Sequence, residues 1–103
     1  MKLFWTPIGL ESLKEYKEFL IRTWDEKMFD EFSRKLTDRL DLLKENPNLG
    51  QIFDDGIFRR LVLHKNSSLF YKIESDYIKL LLIWDNRQNL AQLERKLISA
   101  NIR

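Results

Sequence analysis

Residues 57–85 read IFRRLVLHKNSSLFYKIESDYIKLLLIWD and decide the fold. Three runs rich in β-branched, aromatic and aliphatic residues are separated by two polar links of about three residues. The runs cover residues 57–64, 68–73 and 77–85. Links this short join antiparallel neighbours, so the pattern predicts a three-stranded meander. The third run lacks alternation between Leu80 and Trp84, which predicts a strand buried on both faces.

Two amphipathic helices are predicted before the meander, because apolar residues recur there at three- and four-residue steps. The first stripe is Leu10, Leu13, Tyr16, Leu20 and Trp24, and the second is Phe29, Phe32, Leu36, Leu40 and Leu43. Thr6 and Asp25 are the expected N-caps, and Pro47 ends the second helix. With almost no loop between them, the two helices should form an antiparallel hairpin.

The ends of the chain complete the expected order. Residues 2–6 predict a first strand, a turn is expected at 54–56, and Leu90, Leu93 and Leu97 mark a short final helix. The prediction is an α+β protein of order β-α-α-β-β-β-α, in which the helical hairpin covers one face of a four-stranded, mostly antiparallel sheet. The other face is expected to be partly open. The 103 residues form one domain, 1–103.

Composition excludes several kinds of site. The chain has no cysteine and a single histidine, so disulfide scaffolds, cysteine nucleophiles and zinc sites built on Cys or several His are ruled out. No cofactor or metal is expected. The longest apolar run, 80–84, is far shorter than the roughly 20 residues that a membrane helix needs. The start lacks the apolar stretch of a signal peptide, and we interpret the chain as cytoplasmic.

The net charge of +2 is unevenly distributed. Residues 1–56 contain nine Lys or Arg and twelve Asp or Glu, a balance of −3, whereas residues 57–103 contain nine and four, a balance of +5. The second half is therefore the better candidate for contact with an anionic partner.

Basic residues on and around the meander are the candidates for binding a partner or nucleic acid. They are Arg60, Lys65, Lys72 and Arg87. One interpretation is a solvated sheet whose charges prevent edge pairing. The other is a surface that holds phosphates or carboxylates, for which the forked guanidinium of arginine is well suited.

Catalytic candidates are few. His64 could move a proton near neutral pH, and Tyr71 could donate its phenolic proton, with Arg59 and Arg87 to hold a phosphate. A histidine at a strand end is more often a surface residue, and a strand tyrosine more often packs. By alternation, Arg59 should face away from Arg60 and His64.

The segments 59–73 and 78–88, with Trp5-Thr6-Pro7 and the turn 46–50, resemble the RelE/ParE family of toxins. The similarity extends from Leu3 to about Leu97. It implies the toxin of a bacterial toxin–antitoxin pair, neutralised by an antitoxin that a neighbouring gene encodes. RelE-type members cleave mRNA on the ribosome, whereas ParE-type members block DNA gyrase.

The resemblance favours the ParE type. Arg59 and Arg87 match two positions of the ribonuclease site, but Ser68 stands where an arginine is usual. Residues 89–103 also lack the tyrosine or histidine that RelE-type enzymes carry near the C-terminus. The alternatives are a RelE-like ribonuclease that needs no metal and a non-toxic relic that only binds an antitoxin.

Overall fold

The computed structural model describes residues 1–23, 25–54 and 56–102. The expectations for Trp24 in the first helical stripe and for Asp55 in the turn lie outside these residues. The elements are β1 (Lys2–Trp5), α1 (Pro7–Thr23), α2 (Glu26–Glu45), β2 (Gln51–Phe53), β3 (Phe58–His64), β4 (Ser67–Ile73), β5 (Tyr77–Asp85) and α3 (Leu90–Ile102). The protein is therefore α+β, with the predicted succession of elements and one additional strand.

The sheet of the described residues has five strands in the order β1-β5-β4-β3-β2. Strand β1 pairs parallel with β5, and the other neighbours pair antiparallel. The prediction of four strands was wrong, because it missed β2. A three-residue strand shows no readable period, and β2 is defined by its pairing with β3 rather than by its own pattern.

The helix boundaries follow from local capping. The Gly9 N–H donates to Thr6 Oγ1 at 3.0 Å, and the Met28 N–H donates to Asp25 Oδ1 at 3.1 Å, so both predicted N-caps are confirmed. Helix α2 ends at Glu45, two residues before Pro47.

Both faces of the sheet pack against helices. The helical hairpin contributes Leu20, Phe32, Leu36 and Leu43 to a core cluster with Leu61, Leu63, Leu69, Tyr71, Ile78, Leu80 and Ile83. On the opposite face, α3 contributes Leu93, Leu97 and Ala100 to a second cluster with Phe58, Phe70, Leu81, Leu82 and Trp84. Helix α3 covers only the centre of this face, and Phe4 and Val62 on the same face are about half exposed, so the face is partly open as expected. Strand β5 supplies both clusters, which confirms that it is buried on both sides.

Two irregularities of register change which way side chains point. One lies between Val62 and His64 of β3, and the other lies where Phe70 and Tyr71 pair with Leu82 and Leu80, so that Leu81 is an extra residue of β5. Arg60 is paired with Phe70 and lies on the side of the sheet that carries α3. His64 lies against α2 on the hairpin side, so the prediction that it shares a face with Arg60 was wrong.

Among the described helices, none combines the length and apolar character needed to cross a bilayer.

Candidate partner-binding surface

Arg59 and Tyr71 together hold the turn that leads from α2 into the sheet. The Tyr71 hydroxyl donates to the Pro47 carbonyl at 2.7 Å and accepts the Gly50 N–H at 2.8 Å. Arg59 Nη1 donates to the Gly50 carbonyl at 2.7 Å. A Cβ on Gly50 would lie 2.8 Å from the Tyr71 ring, so only glycine allows this approach. The two residues are neighbours across β3 and β4 and act here as a structural clasp.

Burial raises the pKa of the Tyr71 phenol above its ordinary value of 10.0, more than the Gly50 hydrogen bond and the nearby Arg59 lower it. The phenol therefore stays protonated at neutral pH, and its proton is held by the Pro47 carbonyl. Because the side chain is fully buried, a substrate has no direct access to the hydroxyl. This geometry agrees with the packing interpretation of Tyr71 rather than with proton donation.

His64 is separated from the other candidates. Its Nε2 lies 3.9 Å from Glu31 Oε2 of α2, in a surface depression that Arg34, Lys35 and Asp38 also line. The sheet lies between this ring and Arg60. Lys65 is exposed in the turn after β3, next to His64 in sequence.

Arg60 is the best oriented basic side chain of the surface. Its Nε donates to Ser68 Oγ at 3.1 Å, and Ser68 Oγ donates to Asn86 Oδ1 at 3.0 Å. Ser68 is fully buried, so this series of hydrogen bonds restrains the Arg60 guanidinium from the interior of the protein. Among the described residues, no acidic side chain forms an ion pair with Arg60, and its hydrogen bond to Ser68 uses only Nε. The two Nη groups are therefore not engaged by a carboxylate of the described residues.

Arg87 is engaged by a carboxylate of its own turn. Its Nε and Nη2 donate to Asp85 Oδ1 and Oδ2 at 3.0 and 2.7 Å, and its backbone N–H donates to Oδ1 at 2.9 Å. The side-chain hydrogen bond from Arg87 is the main reason that the pKa of Asp85 lies below its ordinary value. To bind another anion with two parallel hydrogen bonds, Arg87 must first release the Asp85 carboxylate.

Lys72 lies near the other end of β4, four residues from Ser68 and hence roughly 13 Å along the strand. Its Nζ donates to Glu74 Oε1 at 2.8 Å, and Lys79 Nζ approaches the same oxygen at 3.6 Å. The hydrogen bond from Lys72 is the first cause of a lowered pKa at Glu74. Lys72 is therefore not part of the same cluster as Arg60.

A narrow crevice of about 130 Å³ between α1 and the end of β5 contains polar groups that the sequence did not single out. The Tyr16 phenol lines it, and burial raises the pKa of this phenol above 10.0. Ser67 Oγ is close enough to lower that pKa somewhat, but the two hydroxyls lack hydrogen-bond geometry and Ser67 Oγ has no partner among the described residues. Tyr16 lies on the apolar stripe of α1, so its spacing predicted packing alone.

The structure thus separates the predicted site residues into several groups. Arg59 and Tyr71 hold the turn, His64 lies on the hairpin side, and Lys72 pairs with Glu74. Lys65 is exposed in the turn after β3. Arg60 and Arg87 share one end of the sheet, where Asn86 links the Arg60 chain to the turn that carries Arg87. That end, defined by Arg60, Ser68, Asn86 and Arg87, is the candidate partner-binding surface.

Comparison of the chain with protein-family models and with curated proteins gives no match.

Proposed function

We propose that this chain is the toxin of a bacterial toxin–antitoxin pair and that it acts by binding, in the manner of a ParE-type inhibitor of DNA gyrase. The observation that carries the proposal is the dispersal of the groups that could move a proton. His64 lies on the hairpin side of the sheet, and the Tyr71 hydroxyl is buried between Pro47 and Gly50. Neither reaches the side of the sheet that Arg60 faces.

Cleavage of RNA at the 2′-hydroxyl needs a base, an acid and a cation within reach of one phosphate. The candidate surface provides the cation through Arg60 but offers no histidine, and Asp85 is already bound to Arg87. An oriented guanidinium without an acidic partner is suited to hold a carboxylate or phosphate of a protein or nucleic-acid partner. Binding, not bond cleavage, is the chemistry that these residues support best.

The resemblance to the RelE/ParE family supports the same proposal from the sequence. The helical hairpin, the meander and the final helix follow one another in the order that the resemblance implies. The natural antagonist would be a cognate antitoxin from the neighbouring gene, whose acidic side chains would bind at the candidate partner-binding surface through Arg60 and Arg87.

Inducible expression of the chain in bacteria tests the proposal. We expect growth arrest with intact mRNA, arrested replication and gyrase-dependent DNA breaks. The variant Arg60→Ala should relieve the arrest at equal protein level, whereas Arg22→Ala, an exposed arginine at the end of α1, should not.

Other outcomes identify the alternatives. Arrest accompanied by mRNA cut within translated frames would show a RelE-like ribonuclease and would contradict the binding mechanism. Normal growth at high protein level would leave only the non-toxic relic. Co-expression with the neighbouring small gene and isolation of the complex tests the antitoxin part of the proposal separately.

A further inference from the structure

An exposed pair of aromatic rings lies at the β1 edge of the sheet, on the same side as α3. Phe4 of β1 is 52% exposed, and its ring meets that of Tyr77 edge to face at a centroid distance of 5.2 Å. Lys2 pairs across the strands with Tyr77, and Phe4 pairs with Lys79. These four side chains alternate between aromatic and basic on two adjacent strands, and we name them the β1 ledge.

The β1 ledge is not an extension of the core. The second core cluster lies under α3 and contains Leu81, Leu82 and Trp84 of β5 but neither ring of the ledge. Helix α3 ends at this border, where Lys79 Nζ donates to the Asn101 carbonyl at 3.1 Å. The ledge borders a shallow depression that continues toward Pro7 and Asp76. An aromatic pair in this position presents ring surface to the outside of the molecule.

The charges around the rings favour an anionic ligand. Lys2 is exposed and has no acidic partner among the described residues, and Lys72 and Lys79 share the single carboxylate of Glu74. Asp76 is a second carboxylate near these lysines, and it lines the depression together with Lys2 and Lys79. Among the described residues, this edge of the sheet therefore carries three ammonium groups and two carboxylates, around rings that could accept a flat partner.

We propose that the β1 ledge binds single-stranded nucleic acid, with a base stacked on Phe4 and the backbone phosphates near Lys2 and Lys79. Sheets that bind single strands place aromatic side chains on neighbouring strands and cations beside them, because every base has a face that stacks. An acidic peptide would use the lysines but would gain little from an open ring. The aromatic component of the ledge is what favours the nucleic acid.

This site is distinct from the candidate partner-binding surface and does not rest on the proposed function. Tyr77 begins β5 and Asn86 follows its end, a separation of nine residues or roughly 30 Å along the strand. The binding can be measured on the purified chain whether or not the chain is toxic. Failure of one proposal therefore leaves the other unaffected.

Fluorescence anisotropy with labelled oligo-dT and oligo-U of about 12 nucleotides tests the proposal. We expect binding at low salt that Phe4→Leu weakens by roughly 5- to 150-fold, as the loss of one stacked base predicts. Phe4→Tyr should retain the affinity because it retains the ring. Leu10→Ala, which changes an equally exposed apolar residue of α1, is the matched control and should bind as the wild type does.

A salt titration tests the lysine contacts. Lys2→Gln should reduce the slope of log affinity against log salt by about 0.7, the contribution of one phosphate of a single strand. Lys14→Gln on α1 should leave the slope unchanged. Absence of binding at low salt would overturn the proposal. A second result would also overturn it: Phe4→Leu binds as tightly as wild type while Lys2→Gln binds more weakly. In that case the contact is purely electrostatic, and an acidic peptide would make it equally well.

Discussion

At the scale of single residues, Tyr71 connects parts of the chain that are far apart in sequence. Its hydroxyl binds Pro47 and Gly50, which lie 24 and 21 residues away. The ring belongs to the core cluster under the helical hairpin, so one side chain fixes both the packing of β4 and the path of the turn. Tyr71 was a candidate for acid–base chemistry, but its contacts indicate that it stabilises the fold.

Replacing Tyr71 by Phe should lower the free energy of unfolding by about 1–3 kcal/mol. The ring remains, but the Pro47 carbonyl and the Gly50 N–H lose their partner. Urea denaturation measures the loss, and Tyr77→Phe is the control because no described residue is hydrogen-bonded to the Tyr77 hydroxyl. Equal losses in the two variants would show that the clasp contributes nothing.

The same phenol makes stability depend on alkaline pH. Its folded-state pKa is raised above 10.0 by burial, so the folded protein keeps the proton at pH values at which the unfolded chain has lost it. The contribution is complete below about pH 10 and is lost as the pH rises through the folded-state pKa. The difference in unfolding free energy between wild type and Tyr71→Phe should therefore decrease as the pH rises above about 10. Tyr16, whose pKa is also raised, is present in both proteins, so its effect cancels in the comparison. A constant difference would contradict the assignment.

At the scale of elements, β1 binds the first half of one edge of β5, and the start of α1 binds the edge beyond it. Strand β1 pairs with β5 only as far as Leu80, and the Thr6 N–H then donates to the Leu80 carbonyl at 3.1 Å. Farther along, Ser12 Oγ accepts the Ile83 N–H at 2.9 Å and donates to the Gly9 carbonyl at 2.7 Å. Thr6, the N-cap of α1, and Ser12 within the helix thus satisfy backbone groups of β5 that would otherwise lie unpaired next to the core.

Gly9 allows α1 to approach β5 this closely. A Cβ at this position would collide with the Leu80 carbonyl oxygen, a backbone atom that cannot rotate away. We expect Gly9→Ala to lower the free energy of unfolding by a net of about 1–3 kcal/mol, because overpacking against a backbone atom outweighs the gain of at most about 1 kcal/mol from the better helix propensity of alanine. Leu10→Ala, at an exposed position of the same turn, should cost less than about 1 kcal/mol. Thermal unfolding of both variants compares them, and a Gly9→Ala protein as stable as wild type would contradict the close contact.

At the scale of the whole molecule, the sequence predicts what is periodic or capped and misses what depends on register. The bounds of β5 and both helix caps follow from local patterns, since Asp25 and Thr6 act within three residues of their partners. Strand β2 cannot be predicted from local pattern, because a three-residue strand has no period. The face on which His64 lies cannot be predicted either, because one extra residue in β3 reverses the alternation of side chains.

The same distinction applies to the candidate site. The Asp85–Arg87 pair spans two residues and is compatible with any turn at that point. The chain through Arg60, Ser68 and Asn86 joins residues 8 and 18 positions apart and exists only once β3, β4 and β5 are in register. The sequence could propose Arg60 as a partner-binding residue, but only the assembled sheet shows what orients it.

The two core clusters share β5, so both faces of the sheet should unfold together. Leu36→Ala on the hairpin side and Leu97→Ala in α3 should each cost about 2–5 kcal/mol, because both side chains are buried. Their effects should add within about 0.5 kcal/mol, since the sheet separates them, and each variant should show one transition by both tryptophan fluorescence and far-ultraviolet circular dichroism. Trp84 reports on the α3 side and Trp5 packs on the hairpin side, so fluorescence is sensitive to both faces. A fluorescence transition in Leu97→Ala that precedes loss of the circular dichroism signal would mean that α3 detaches from an otherwise folded sheet.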